Sequence, residues 1–187
     1  MARITHYRTG ELALTAAEYR NLAGVCQTNE ELLLLQLAVG LGLRRADVSN
    51  LRIADIDLDN AKLCYFEHKK RRTRTVPLSP KLAQTLAMYI SSLGKARNRA
   101  YLFRWGGLVY GDRTAHRRLQ TLCDRAGIPR RPFHALRATC IKFCQRAGWT
   151  PEQTAKLVGD SLRVIQEHYT VPSDAELAEV CSMREFL

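Results

Sequence analysis

Residues 61–78 read AKLCYFEHKKRRTRTVPL. Ala61 to Glu67 is strand-like, and Arg74 to Leu78 reads as a second short strand. Between them lies His68-Lys69-Lys70-Arg71-Arg72-Thr73, a basic turn. The segment therefore predicts a small hairpin with a positively charged tip. The texture on both sides is helical. Upstream, Thr15 followed three residues later by Glu18 predicts a capped helix to about Cys26. Thr28-Asn29-Glu30-Glu31 opens a second helix ending at Gly40 or Gly42, and a third runs from about Arg45 to Leu51. Downstream, Ser79-Pro80 restarts helix to about Leu93, and Tyr101-Leu102-Phe103 is a candidate short strand. From Asp112 onward each segment predicts helix: Thr114 to Ala126, His134 to Gly148, a helix capped by Thr150-Pro151 that ends at Gly159, Leu162 to Tyr169, and a last one after Pro172-Ser173-Asp174. The expected fold is mainly α with a small β-hairpin, in the α+β class, and residues 1–187 form one domain.

Composition narrows the partner. The chain has 187 residues, with 29 Lys and Arg against 18 Asp and Glu, a formal net charge of +11. Such an excess points to a polyanion, and nucleic acid is the usual one. The bland alternative is charge that only keeps the protein soluble. The longest apolar run, Leu32 to Leu43 broken by Gln36, is too short to span a membrane. The opening Met-Ala-Arg-Ile-Thr-His lacks a signal-peptide core, so a soluble cytoplasmic protein is expected. Six cysteines, none in a Cys-x-x-Cys pair, are expected as free thiols in a reducing compartment.

Three segments carry candidate chemistry: Gly42-Leu43-Arg44, His134-Ala135-Leu136-Arg137 and His168-Tyr169. His134 and Arg137 stand three apart and share one helix face. An arginine fork matches two phosphate oxygens, and a histidine beside it can move a proton. Arg44 follows a glycine at a helix junction, where a side chain can project. Lys69 stands on the hairpin tip, a natural finger for a DNA groove. Together these groups could form a cationic cup around a phosphodiester, with the Tyr169 phenol to attack it. Each alone has an ordinary structural reading: a capping His-x-x-Arg, a core tyrosine, a solvated basic turn.

Order and spacing resemble the tyrosine recombinase (phage integrase) family, from about Leu14 to Tyr169. Leu41 to Arg52, followed by Asp55-Ile56-Asp57, is similar to that family's first box, with its arginine on Arg44 and its supporting acid on Asp47. The hairpin's lysine, eight residues before Pro77, falls on Lys69. His134-Ala135-Leu136-Arg137 is similar to the second box. Leu157-Val158-Gly159-Asp160-Ser161, with His168-Tyr169-Thr170, is similar to the last, and its nucleophile falls on Tyr169. One departure stands out: the position after Gly159, normally His and sometimes Trp, is Asp160. An ionised Asp cannot donate to a phosphate, so Asp160 either turns away, orients another residue, or lowers activity.

The resemblance implies a site-specific DNA recombinase or integrase. Its catalytic residues would be Arg44, Lys69, His134, Arg137 and Tyr169, its supporting residues Asp47 and Asp160. A 3′-phosphotyrosyl link would form, with no metal and no ATP; no cofactor is expected. Two arginines near Tyr169 are expected to favour its phenolate. Duplex DNA would be held at its backbone by Lys70, Arg71, Arg72, Arg74, Arg97, Arg99, Arg117 and Arg118. Self-association on DNA as a dimer or tetramer is implied, with the tail 171–187 exchanged between protomers or folded back. No N-terminal core-binding domain is visible ahead of Leu14. The alternatives are a catalytically impaired DNA-binding regulator of the same fold and a type IB topoisomerase. An RNA-binding module lacks an aromatic stacking platform.

Overall fold

The computed structural model describes residues 9–94, 100–105, 108–109, 111–169, 178 and 181. Among the described residues the named α-helices are α1 Ala16–Gly24, α2 Asn29–Gly40, α3 Arg45–Ser49, α4 Pro80–Ser92, α5 Asp112–Ala126, α6 His134–Arg146, α7 Pro151–Val158 and α8 Leu162–Tyr169, and they pack with a small sheet. The sheet runs β1 Ile56–Asp57, β2 Lys62–Glu67, β3 Arg72–Pro77, all antiparallel. A separate pair joins β4 Arg104–Trp105 to β5 Leu108–Val109.

Local chemistry sets the helix starts. The Thr15 hydroxyl accepts from the Glu18 N–H, and the Glu18 carboxylate accepts from the Thr15 N–H at 2.8 Å, the predicted reciprocal cap. Thr150 and Gln153 make the same pair ahead of α7. Ser79 caps α4 with Pro80 in the first turn, where proline's missing N–H is not needed.

Helix α2 is the centre. Leu33, Leu34, Leu35 and Leu37 are all fully buried, so the helix is apolar on every side and packs against α4 and α6. At its far end Glu31, also buried, is held by Arg118 and Arg125 of α5 at 3.3 and 2.9 Å. A second, smaller cluster gathers Ala138, Cys140, Ile141 and Cys144 of α6 with Ala155 and Val158 of α7 and Ile165 and Tyr169 of α8. The last helix in this cluster thus carries the tyrosine inward.

The hairpin differs from expectation in two ways. It gains a third strand, β1, and β3 begins at Arg72 rather than Arg74. The turn is accordingly tighter: His68–Lys70 form one 3-10 turn, and Arg71 takes a left-handed φ of 50°. The strand expected at Tyr101–Phe103 lies at Arg104 instead. Leu102 and Phe103 are buried core residues, and the segment is tied by single links, Leu102 N–H to the Leu51 carbonyl and an Arg52–Tyr101 bridge. The helix expected after Asp174 lies outside the described residues. No helix among the described residues is long and apolar enough to cross a membrane. The six cysteines are free.

Candidate active site

Two arginines reach one carboxylate. Arg44 stands immediately before α3, just beyond Gly42, whose φ of +63° turns the chain sharply. A Cβ on Gly42 would stand 2.6 Å from Val158 Cγ1, so only glycine lets this turn approach α7 so closely. Arg137 projects from the first turn of α6 and is 2% exposed. Its Nη1 donates to the Gly42 carbonyl at 2.5 Å and its Nη2 to Asp160 Oδ2 at 2.6 Å. Arg44 donates through Nη1 to buried Glu67 and through Nη2 to Asp160 Oδ1 at 2.8 Å. Lys70 closes the ring, donating to the Gly159 carbonyl at 2.7 Å and lying 3.4 Å from Asp160 Oδ1. Asp160 therefore does not turn away. It bridges the arginines, and they, with Lys70, outweigh the raising effect of its burial and hold its pKa below the ordinary value.

Tyr169 meets His134 beside this cluster. The tyrosine is buried, and its hydroxyl lies 2.8 Å from His134 Nε2. Burial lowers the His134 pKa, and the charges of Arg137 and Arg44 lower it further. The imidazole is neutral at neutral pH and can take a proton. The phenol departs from expectation. Burial, joined by the Asp160 charge, raises its pKa more than Arg137 and Arg44 lower it, so Tyr169 rests protonated and needs a base. A cavity of about 360 Å³ lined by Arg44, Lys69, His116, His134 and Arg137 opens over the group. Thus the residues from all three boxes and the hairpin lysine come together, although 125 positions separate Arg44 from Tyr169 (169 − 44).

The Phage integrase family profile matches residues 13–176. The chain belongs to the Phage integrase family. A tyrosine recombinase of Pseudothermotoga lettingae is 30% identical over 150 residues, 79% of this chain and 52% of that protein. Tyrosine recombinase XerA of Saccharolobus solfataricus is 25% identical over 147 residues, 79% of this chain and 47% of its own length. This phage integrase family member thus spans about half the length of the curated relatives it matches. Among solved structures, XerA recombinase superposes with a TM-score of 0.78 at 22% identity, over 92% of this chain and 65% of that one. XerH bound to a palindromic difH substrate, in a post-cleavage complex, gives 0.72 at 19% identity, over 92% and 52%. At these identities the superpositions establish a common fold.

Several basic residues of this phage integrase relative are tied to partners within the protein. Lys70 is tied to the Gly159–Asp160 turn, as above. Arg74 donates to the Tyr65 hydroxyl at 2.9 Å and to the Lys156 carbonyl at 2.6 Å, clamping the hairpin to the end of α7. Gly159 (φ +74°) leaves room for it; a Cβ there would collide with the guanidinium. Arg72 donates to Glu67 at 2.8 Å, and Arg118 braces α5 to α2. Arg71 and Arg117 stay exposed, as does Lys69, which has no hydrogen bond or ion pair among the described residues. Arg97 and Arg99 lie outside the described residues. Asp47 is buried and accepts the His68 N–H at 3.0 Å, joining α3 to the hairpin tip.

Two site residues escaped the sequence reading. His116 of α5 lines the cavity, and its Nδ1 is buried with no hydrogen-bond partner among the described residues. Glu67 is fully buried and serves Arg44 and Arg72. Its signal was strand alternation: Leu63, Tyr65 and Glu67 share the inward face, where an acid needs an internal partner. Burial raises the Glu67 pKa, but bonds from Arg72 and Arg44 more than offset this and hold it below the ordinary value. With a depressed folded pKa, its stabilisation is present above the unfolded carboxylate pKa and is lost as pH falls through the folded one. Glu67→Gln is expected to cost on the order of 3 kcal/mol at pH 7, since it strips a buried charge from its partners. Thermal melts across acid pH check this: the variant should show a shallower acid loss than wild type.

Proposed function

We propose that this chain cuts and rejoins duplex DNA at a specific site through a covalent bond to Tyr169. The convergence of Arg44 and Arg137 beside the Tyr169–His134 pair carries the reading. In the forward step the Tyr169 oxygen attacks phosphorus and its proton passes to His134 Nε2. The bond from phosphorus to the 5′ oxygen breaks, and that oxygen takes a proton from Lys69. The 3′ end stays on Tyr169 as a phosphotyrosyl ester. A 5′ hydroxyl, from the same or another duplex, reverses the step. The ester conserves the bond energy, so no nucleotide need be hydrolysed. Arg44 and Arg137 offset charge on the non-bridging oxygens.

The duplex lies over the cavity, with Lys69 and Arg71 at the hairpin tip and Arg117 on α5 contacting its backbone. These are contacts of position rather than sequence, and affinity falls steeply with salt. XerH and the Tn1549 integrase, which share the fold, are described in complex with DNA. The chain acts as one catalytic domain and assembles in dimers or tetramers on DNA. An apolar groove bounded by Val39, Leu82, Phe143 and Trp149 offers a seat for the tail of a neighbouring copy.

Nicked duplexes built from the DNA flanking the gene test the proposal, because the released strand cannot religate. A denaturation-resistant protein–DNA adduct supports it, and no adduct on any flanking repeat sinks it. The rate of adduct formation should hold as pH falls through 6.5, the ordinary histidine value, and decline only below it, because His134 titrates low. A decline centred above that value refutes His134 as the base. One observation favours a second reading, a DNA-binding regulator: Asp160 already occupies both arginines. Sequence-specific binding without an adduct would support that alternative.

A further inference from the structure

We propose that Asp160 stands in for the scissile phosphate in the DNA-free protein, and that DNA must displace it from the two arginines. The inference rests on the reading of Arg44 and Arg137 as phosphate-holding groups. Each guanidinium has one committed anchor: Arg44 Nη1 is on Glu67, and Arg137 Nη1 is on the Gly42 carbonyl. Neither arginine needs Asp160 to be oriented. Each then presents Nη2 to a different oxygen of the one carboxylate, at 2.8 and 2.6 Å. One oxygen per guanidinium is the pattern that two non-bridging oxygens of a phosphodiester would make.

The fit is incomplete in a telling way. Arg137 Nε is buried and has no hydrogen-bond partner among the described residues. It lies on the same guanidinium edge as Nη2, so Asp160 uses only half of a two-donor edge. A phosphate, with more acceptor oxygens, satisfies both donors. Phosphate and carboxylate cannot share the arginines, because two anions would then face each other in a largely buried site. Lys70 adds a third cation at 3.4 Å, and it is anchored independently on the Gly159 carbonyl. When Asp160 swings out, the cup keeps its charge and its shape.

Displacement makes the carboxylate a competitor of every phosphate that enters. Inorganic phosphate is the probe, with thermal melts of the full chain in phosphate and in chloride at matched ionic strength. Wild type should respond weakly. Asp160→Asn removes the competing charge, so it should melt lower in chloride and bind phosphate at least about tenfold more tightly, the worth of one charge-assisted contact. Adding Arg44→Gln to Asp160→Asn should abolish the response. Should Asp160→Asn fail to fold in chloride, Asp160→His, which keeps a polar side chain there, replaces it. Equal phosphate affinity in wild type and variant overturns the proposal, as does a response that survives loss of Arg44. The adduct assay is read separately: no adduct in either protein, with the phosphate response intact, sinks the cleavage reading and leaves the displacement standing.

Discussion

Tyr169→Phe is expected to abolish the covalent protein–DNA adduct entirely and to leave the fold in place. The aromatic ring belongs to the cluster of α6, α7 and α8, and phenylalanine refills it. Only the hydroxyl goes, and with it the 2.8 Å contact to His134. One such bond is worth about 1 kcal/mol net, so the melting midpoint should move little. Duplex affinity, measured by gel shift, should stay within a few fold, because backbone contacts from other residues supply it. Loss of adduct together with loss of folding would instead make Tyr169 a core residue, and a surviving adduct would assign the nucleophile elsewhere. Tyr169→Ala is the poorer test, since a large-to-small change of an aromatic core residue costs about 3–5 kcal/mol by itself.

Arg137→Lys should cut the single-turnover rate of adduct formation by about 10²–10³, the usual cost of one preorganised electrostatic donor. The charge survives, but the fork does not. A single ammonium on a flexible stem cannot hold the Gly42 carbonyl and an anion 2.5 and 2.6 Å away in fixed directions. Lysine is chosen over alanine for a physical reason. Removing the cation would strand the Asp160 carboxylate beside one arginine fewer, and breaking a buried pair costs about 3–5 kcal/mol. A rate within a few fold of wild type would show that Arg137 supports the fold rather than the reaction.

Much of the fold was legible because its signals are local. The Thr15–Glu18 box and the Thr150 cap each need only a few neighbouring residues, and both form as expected. The grouping of Arg44, Lys69, His134, Arg137 and Tyr169 was legible only through family likeness, since nothing local says that these segments meet. What stayed hidden depends on tertiary approach. Arg74 looks like its basic neighbours on the hairpin, yet it lands against the Lys156 carbonyl in the last turn of α7, 82 positions away. The Glu67–Arg72 pair depends on strand register, in which the two stand opposite each other, and a turn read two residues too long conceals it. Asp160 was recognisable as a departure, but its partner Arg44 is 116 positions distant, and no spacing rule reaches so far.

The carbonyl of Gly42 gives the second arginine of the cup its anchor, and this contact has no side chain to delete. Scanning mutagenesis that swaps one functional group for another would pass over it and score the glycine as mere scaffold. Chemistry at this position is written in the bend of the main chain, so inheritance can preserve it only by keeping the residue small. If the proposed strand transfer holds, a homologue with every reactive side chain intact but a bulkier residue at this bend would look competent on paper and be inert in the tube.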